Sequence, residues 1–179
     1  MQISLDGYVT VEYGGTNFNW DDEVKKFSID NLTNVDSMIL GRSTAEVIRT
    51  YWGGVGSDPK HEDYEYGKLM TEIPKIIFSK KLDVNAWDNA TIINGDIAEE
   101  IKRLKRKDGK DMIVYGGFSF VSSLIEHGLI DEFYLLLNPM AFGKGQTIFN
   151  SLKQTLQLKL EKCQPFACGT VLLFYKPTK

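Results

Sequence analysis

With 179 residues, 42% hydrophobic and 25% charged, the chain is long enough to bury one sizeable core and has the composition of an ordinary soluble globular protein. A formal net charge of −3 argues against a nucleic-acid surface, and no apolar run approaches the length that spans a bilayer. Two cysteines, Cys163 and Cys168, and two histidines without zinc-like spacing suit neither a disulfide framework nor a metal site, so a reduced, cytoplasmic, single-domain protein over residues 1–179 is expected.

In chain order, a short strand of Met1, Gln2 and Ile3 opens into "SLDG". The spacing of Val24, Phe27 and Leu32 predicts a helix over 22–33, behind the acidic Asp21, Asp22 and Glu23 that suit a helix N-terminus. "SMIL" (37–40) predicts a strand, followed by "GR" and a short helix from Ser43 to about Tyr51. Residues 53–67, "GGVGSDPKHEDYEYG", read as the longest irregular segment, polar and rich in turn formers. "KIIFS" (75–79) and "TIIN" (91–94) read as two buried strands. A helix over 97–107 places Ile97, Ile101 and Leu104 on its apolar face, which leaves the basic run at 102–110 to solvent.

"MIVY" (112–115) reads as a strand buried on both faces. It is followed by Gly116 and Gly117, with Ser119 as a helix N-cap, Phe120, Val121, Leu124 and Ile125 on one helical face, and Gly128 as the stop. "EFYLLL" (132–137) is a further strand, and "LQLKLEKC" and "TVLLFYK" should pair as an antiparallel hairpin around "QPFACG". Strands alternating with helices imply parallel pairing through right-handed crossovers. The expected fold class is α/β: a mostly parallel sheet flanked by helices, with a C-terminal antiparallel hairpin.

Ligands of such sheets bind beyond the carboxyl ends of the strands. That rule gathers "SLDG", "GRST", "SKK" and "GGFS" into one region, and their shared chemistry is anion capture. Arg42 offers a fixed fork of donors, Thr44 and Ser79 offer hydroxyls, and Lys80 and Lys81 offer point charges. Gly116, Gly117 and the first amides of the next helix form an anion site in kind. Each of these side chains taken singly is as well explained by local capping or solvation. Together they fit a dinucleotide carrying a pyrophosphate and an extra phosphate, as in NADPH.

The order of "SLDGYVT", "NW", "MILGRST", "KIIFSKKL", "IVYGGFSFVSSLIEHGLIDEFYLLLNP" and "GKGQTIF" resembles the dihydrofolate reductase-like superfamily. More narrowly, the chain resembles the branch that includes the reductase domain of riboflavin biosynthesis and many stand-alone relatives. The resemblance implies an NADPH-dependent reductase of a small molecule, usually a homodimer, with no nucleic-acid or membrane partner. Gly41, Arg42, Ser43 and Thr44 match the motif at the adenosine end and phosphates, and Ser79 and Lys80 match the loop around the 2′-phosphate. Gly116, Gly117, Phe118 and Ser119 match the pyrophosphate turn, while Ser4, Leu5, Asp6 and Trp20 match positions lining the nicotinamide and substrate cavity. Asp6 is the one obvious ionisable candidate there for polarising substrate or relaying a proton, and it equally suits a role in shaping the "LDGY" turn.

The chain departs from its relatives on the substrate side. Lys25 stands where folate reductases carry a pterin-binding carboxylate, and Tyr115 stands where riboflavin-pathway reductases carry an acid before the glycine turn. "AEVIRTYWGG" offers only Arg49 for a sugar phosphate, and Tyr51, Trp52 and Tyr115 suggest a flat, aromatic pocket. The leading expectation is hydride transfer to a C=N or C=O group of an unidentified, heterocyclic small molecule. The alternatives are a 5-amino-6-(5-phosphoribosylamino)uracil reductase and a non-catalytic nucleotide-binding or dimerisation module.

Overall fold

The computed structural model describes residues 1–11, 17–81 and 88–178. Strands β1 (Gln2–Ser4) and β2 (Thr10–Val11) precede helix α1 (Asp22–Thr33) and strand β3 (Val35–Gly41). Helix α2 (Arg42–Val47) continues into a π-helical turn (Ile48–Trp52) and the single-turn α3 (Gly53–Val55). Next come α4 (Tyr64–Glu72), β4 (Lys75–Phe78), β5 (Ala90–Ile93), α5 (Ile97–Lys105) and β6 (Asp111–Val114). Helix α6 (Phe118–Glu126), β7 (Phe133–Asn138), β8 (Gly145–Gln146), β9 (Leu158–Pro165) and β10 (Val171–Pro177) complete the order. The chain forms two compact units, one of Lys25–Gly117 and one of Met1–Val24 with Phe118–Lys179.

The Lys25–Gly117 unit is built on a four-stranded sheet of order β5-β4-β3-β6, every ladder parallel. Its centre is the run Met38, Ile39 and Leu40, buried on both faces as the continuous apolar pattern demands. β6 differs from expectation: Met112, Ile113 and Val114 are only half-buried, because β6 ends the sheet with β3 as its one ladder partner among the described residues. The segment 53–67 is not simply irregular, since α3 and the start of α4 fall within it. Backbone contact decides this: a Cβ on Gly67 would lie 2.7 Å from the Gly56 nitrogen and 2.8 Å from Val55 Cγ1. The absence of a side chain at Gly67 is what lets the two helices touch. At the far end of α4, the buried Lys75 ammonium donates to the Thr71 and Ile73 carbonyls at 2.7 and 2.6 Å. It thereby satisfies orphan acceptors of the helix C-terminus, and its burial lowers the pKa to about 8.

In the other unit, β1-β7-β10-β9 form a mixed sheet: β1 runs parallel to β7, while β10 is antiparallel to both β7 and β9. The C-terminal hairpin thus lies at the sheet edge, as its paired apolar runs indicate. β2 and β8 form a separate two-stranded ribbon. Helix α6 buries Val121, Leu124 and Ile125 on the predicted face. It already begins at Phe118, so Ser119 lies inside the first turn rather than capping it. Its end is a Schellman motif, with Gly128 at φ 63° and the Leu129 amide donating to the Leu124 carbonyl at 2.9 Å. Among the described residues, no helix is long and apolar enough to cross a membrane, and no group of three or more His, Cys, Asp or Glu is placed to hold a metal.

The helix contact yields a stability prediction. Gly67→Ala should destabilise the protein by about 1–3 kcal/mol in urea unfolding, because the new methyl meets backbone that cannot retreat. Gly54→Ala, where a Cβ meets nothing within 4 Å, should be neutral or stabilising.

Candidate active site

Parallel register aligns the strand ends of the Lys25–Gly117 unit. Gly41 pairs with Phe78 and Ile39 with Val114, so Ser79, Arg42 and Tyr115 follow neighbouring strands on the same edge of the sheet. The chain leaves β3 for β4 on one side, whereas β6 lies on the other, so the strand order reverses between β3 and β6. Such a switch point is where open α/β sheets bind ligands.

At that point Gly41 precedes α2 in extended conformation, and Arg42, Ser43 and Thr44 form the helix's first turn. Gly116 and Gly117 adopt φ of 108° and 74°, both in the region that L side chains avoid. A Cβ on Gly116 would lie 3.6 Å from Thr44 Cγ2 and 3.8 Å from its Oγ1, which brings the "GRST" and "GGFS" motifs together. Ser79 Oγ accepts from the Lys81 amide at 3.1 Å, forming a local turn, and Lys80 is exposed beside it. Arg42 Nη1 donates to Glu46 Oε1 at 2.8 Å across one helical turn, with the pair about half exposed. The i,i+4 spacing of Arg42 and Glu46 suits such a pair.

The aromatic residues form a second feature of this unit. Tyr51 is 56% exposed and meets Trp52 edge-on at 4.9 Å, and Trp52 meets Tyr66 edge-on at 4.8 Å. Tyr66 Oη lies 2.9 Å from Tyr115 Oη, and the buried Ser28 hydroxyl is a further hydrogen-bond partner of Tyr115. Tyr66 and Ser28 were not singled out in the sequence. A tyrosine in a polar stretch and a serine on an apolar helix face carry no local signal of this meeting.

In the other unit, Ser4 Oγ donates to Asp6 Oδ1 at 2.6 Å and accepts from the Tyr8 amide at 2.9 Å. The Asp6 carboxylate also accepts from the amides of Phe142, at 3.1 Å, and Gly143, at 2.7 Å. The Ser4 hydroxyl, followed by the Gly143 and Phe142 amides, outweighs partial desolvation and holds Asp6 below its usual 3.8. Asp6 is therefore ionised at neutral pH and latches this turn to residues 142–143. Leu5, its amide bound to the Met140 carbonyl at 2.7 Å, projects its side chain outward at 64% exposure. Half-buried Trp20 follows Asn19, whose amide donates to the fully buried Asn138 at 2.9 Å and whose side chain donates to the Cys168 carbonyl at 2.8 Å. Phe118 and Ser119 open α6 in this same unit.

Residues 1–172 match the RibD C-terminal domain. The chain belongs to that family. It is 34% identical to the uncharacterized protein YyaP of Bacillus subtilis strain 168, over 98% of this chain and 91% of that one. Among solved structures it resembles a protein of Shewanella sp. PV-4 assigned to riboflavin biosynthesis, with TM-score 0.76, 19% identity and coverage of 100% of this chain and 97% of that one. The dihydrofolate reductase of Enterococcus faecalis, solved with NADP(H), matches at TM-score 0.65 and 17% identity, covering 99% and 94% of the two chains. At these identities the structural matches establish a dihydrofolate reductase-like fold, and the family match places the chain among reductase domains.

The paired phenols give a pH prediction. Burial is the main cause that raises both above the ordinary 10.0, with Tyr66 well above it. The neutral forms are favoured in the fold, so this contribution to stability is complete below pH 10 and is lost as pH rises through the folded values. Alkaline titration of tyrosinate absorbance should show a late component among the eight tyrosines. That component should shrink in Tyr66→Phe and move to the ordinary range on unfolding.

Proposed function

We propose that the protein is an NADPH-dependent reductase that transfers hydride to a C=N or C=O group of a small, planar, heterocyclic substrate. The observation that carries the reading is the convergence of Arg42, Thr44 and the Gly116–Gly117 turn at the switch point of a parallel sheet. The residues fit the cofactor's chemistry. Two successive positive-φ glycines leave backbone amides without a side chain between them and a pyrophosphate, and a Cβ there would be strained by the backbone conformation. Arg42, with Ser79 and Lys80 on the neighbouring strand end, supplies donors and charge for a terminal phosphate. By family resemblance, Gly41 and Ser43 accompany Arg42, Phe118 and Ser119 complete the pyrophosphate turn, and Ser4, Leu5 and Trp20 belong to the substrate side. The same resemblance supports a homodimer.

When bound, the reduced nicotinamide supplies the hydride, and the chain supplies orientation and exclusion of water. By family resemblance, Tyr51, Trp52 and Tyr115 belong to the substrate side, and exposed Tyr51 has an aromatic ring suited to a planar ligand. We assign Asp6 to holding its turn, since an ionised carboxylate with this many donors has no proton to give.

Reduction of 5-amino-6-(5-phosphoribosylamino)uracil is the second reading. It is supported by similarity to the deaminase/reductase of Thermotoga maritima with that specificity, at TM-score 0.68 and 15% identity, of which this chain covers 55%. A neutral Tyr115 weighs against it, as does Arg49 being the single basic residue that "AEVIRTYWGG" offers for a sugar phosphate.

Titration with NADPH and with NADH, followed by fluorescence, tests the reading. Arg42→Ala should weaken NADPH by roughly tenfold or more and NADH by less than about twofold. Equal loss for both would remove Arg42 from the 2′-phosphate. Failure of the wild-type protein to bind either would leave a nucleotide-independent module.

A further inference from the structure

We infer that Tyr66 and Tyr115 form a proton route from a surface depression on the Lys25–Gly117 unit to the carboxyl end of β6. The purpose of the route rests on the reductase reading above, whereas its existence is argued from geometry alone.

Reduction of a C=O or C=N group needs more than hydride. As hydride adds to carbon, the π pair moves to the heteroatom, which must take a proton. Asp6 holds none at neutral pH. Tyr115 keeps its proton, and its residue immediately precedes Gly116 at the switch point. Its hydroxyl is 2.9 Å from that of Tyr66. Tyr66 is only 3% exposed, yet it forms part of the wall of an open depression of about 280 Å³. Lys25, His61, Glu62 and Asp63 share that wall. Lys25 Nζ lies 2.7 Å from Asp63 Oδ1, and His61 Nδ1 accepts from the Asp63 amide at 3.0 Å. Ionisable groups in contact with solvent thus stand at the outer end, a strand terminus at the inner end, and two phenols between them.

The transfer balances without forming a lasting ion. The substrate heteroatom takes the Tyr115 hydroxyl proton, the Tyr115 oxygen takes the Tyr66 proton, and the Tyr66 oxygen is reprotonated from solvent at the depression, where the bulk buffer acid makes good the proton consumed. Each turnover consumes one hydride and one proton, and both phenols finish neutral. Burial disfavours an isolated phenolate at either site, so the hops occur in concert. Ser28, buried on α1, bonds to Tyr115 as a side branch that does not line the depression.

The test needs neither cofactor nor substrate. In protein labelled with carbon-13 at tyrosine Cζ, the deuterium isotope shift in mixed light and heavy water reports the exchange rate of each hydroxyl proton. Tyr66→Phe should slow exchange at Tyr115 by roughly tenfold or more, while Ser28→Ala should leave it within about twofold. Unchanged or faster exchange in Tyr66→Phe would overturn the route, because exchange would then proceed by local opening. Near-ultraviolet circular dichroism of that variant should keep the Trp52 signal, since the phenyl ring that Trp52 meets edge-on remains. NADPH titration of the wild type reports separately on the reductase reading, so a protein that binds no NADPH yet shows slowed exchange keeps the route and loses its purpose.

Discussion

The register that pairs Leu40 with Ile77 and Ile39 with Val114 is the constraint on which the candidate site depends. Strands with apolar residues on both faces are suited to a buried, parallel sheet. Parallel pairing then obliges every strand to end on the same side. The polar residues that follow β4, β3 and β6 are collected there as a consequence, without any attraction among them. Arg42 and Lys80 would repel one another in isolation; hydrophobic register holds their strands side by side. A slip of one residue would turn Met38 and Leu40 to the opposite face and misalign the three strand ends together. Core packing and site geometry in this unit are therefore one requirement.

The other unit is organised by a polar group instead. Asn138 is fully buried, and its amide donates to Gln2 Oε1 at 2.6 Å and to the Leu136 carbonyl at 3.0 Å. Its oxygen accepts from the Asn19 amide at 2.9 Å and from Thr170 Oγ1 at 3.3 Å. Partners from β1, the segment before α1, β7 and the residue just before β10 thus meet on one side chain. A leucine of similar size would fill the space but leave the Asn19 amide and the Thr170 hydroxyl without this acceptor. Farther along the chain, the Phe142 and Gly143 amides grip Asp6. Ten residues of chain around 134–143 consequently hold both the "SLDG" turn and the "NW" pair, two motifs that lie far away in sequence. Asp21 reinforces the arrangement: the Val24 amide, and then the Cys168 thiol and amide, stabilise its charged form.

Most of this frame was legible because it rests on local periodicity. The apolar runs gave strand positions within a residue or two, α6 buried the face its spacing indicated, and the hairpin followed from two β-rich segments around a turn. What was not legible rests on contacts distant in sequence. The helices within 53–67 depend on the backbone contact of Gly56 with Gly67 and on burial of Tyr66, which a polar, turn-rich composition conceals. Ser119 looked like a cap because Ser is favoured there, but Phe118 is already helical and the glycines take over the entry. At the candidate site, the two positive-φ glycines were visible because glycine pairs advertise positive φ. The partners of Tyr115 were invisible because a hydroxyl meeting 49 residues away leaves no periodic trace.

Those partners bear on what the proposed site would select. A carboxylate at position 115 would sit close to the turn proposed to hold a pyrophosphate, and like charges there would oppose cofactor binding unless a cation lay between them. A phenol escapes that conflict. It can be buried with its hydrogen bonds satisfied by Tyr66 and Ser28, at none of the desolvation cost that a charge carries. The same neutrality removes a charged acceptor that could bind an amino or amide group on the substrate and substitutes a hydroxyl that can donate to a carbonyl or ring nitrogen. On the proposed substrate role of Tyr115, the exchange of acid for phenol would shift preference toward neutral rings with an exposed acceptor and away from substrates recognised by a carboxylate.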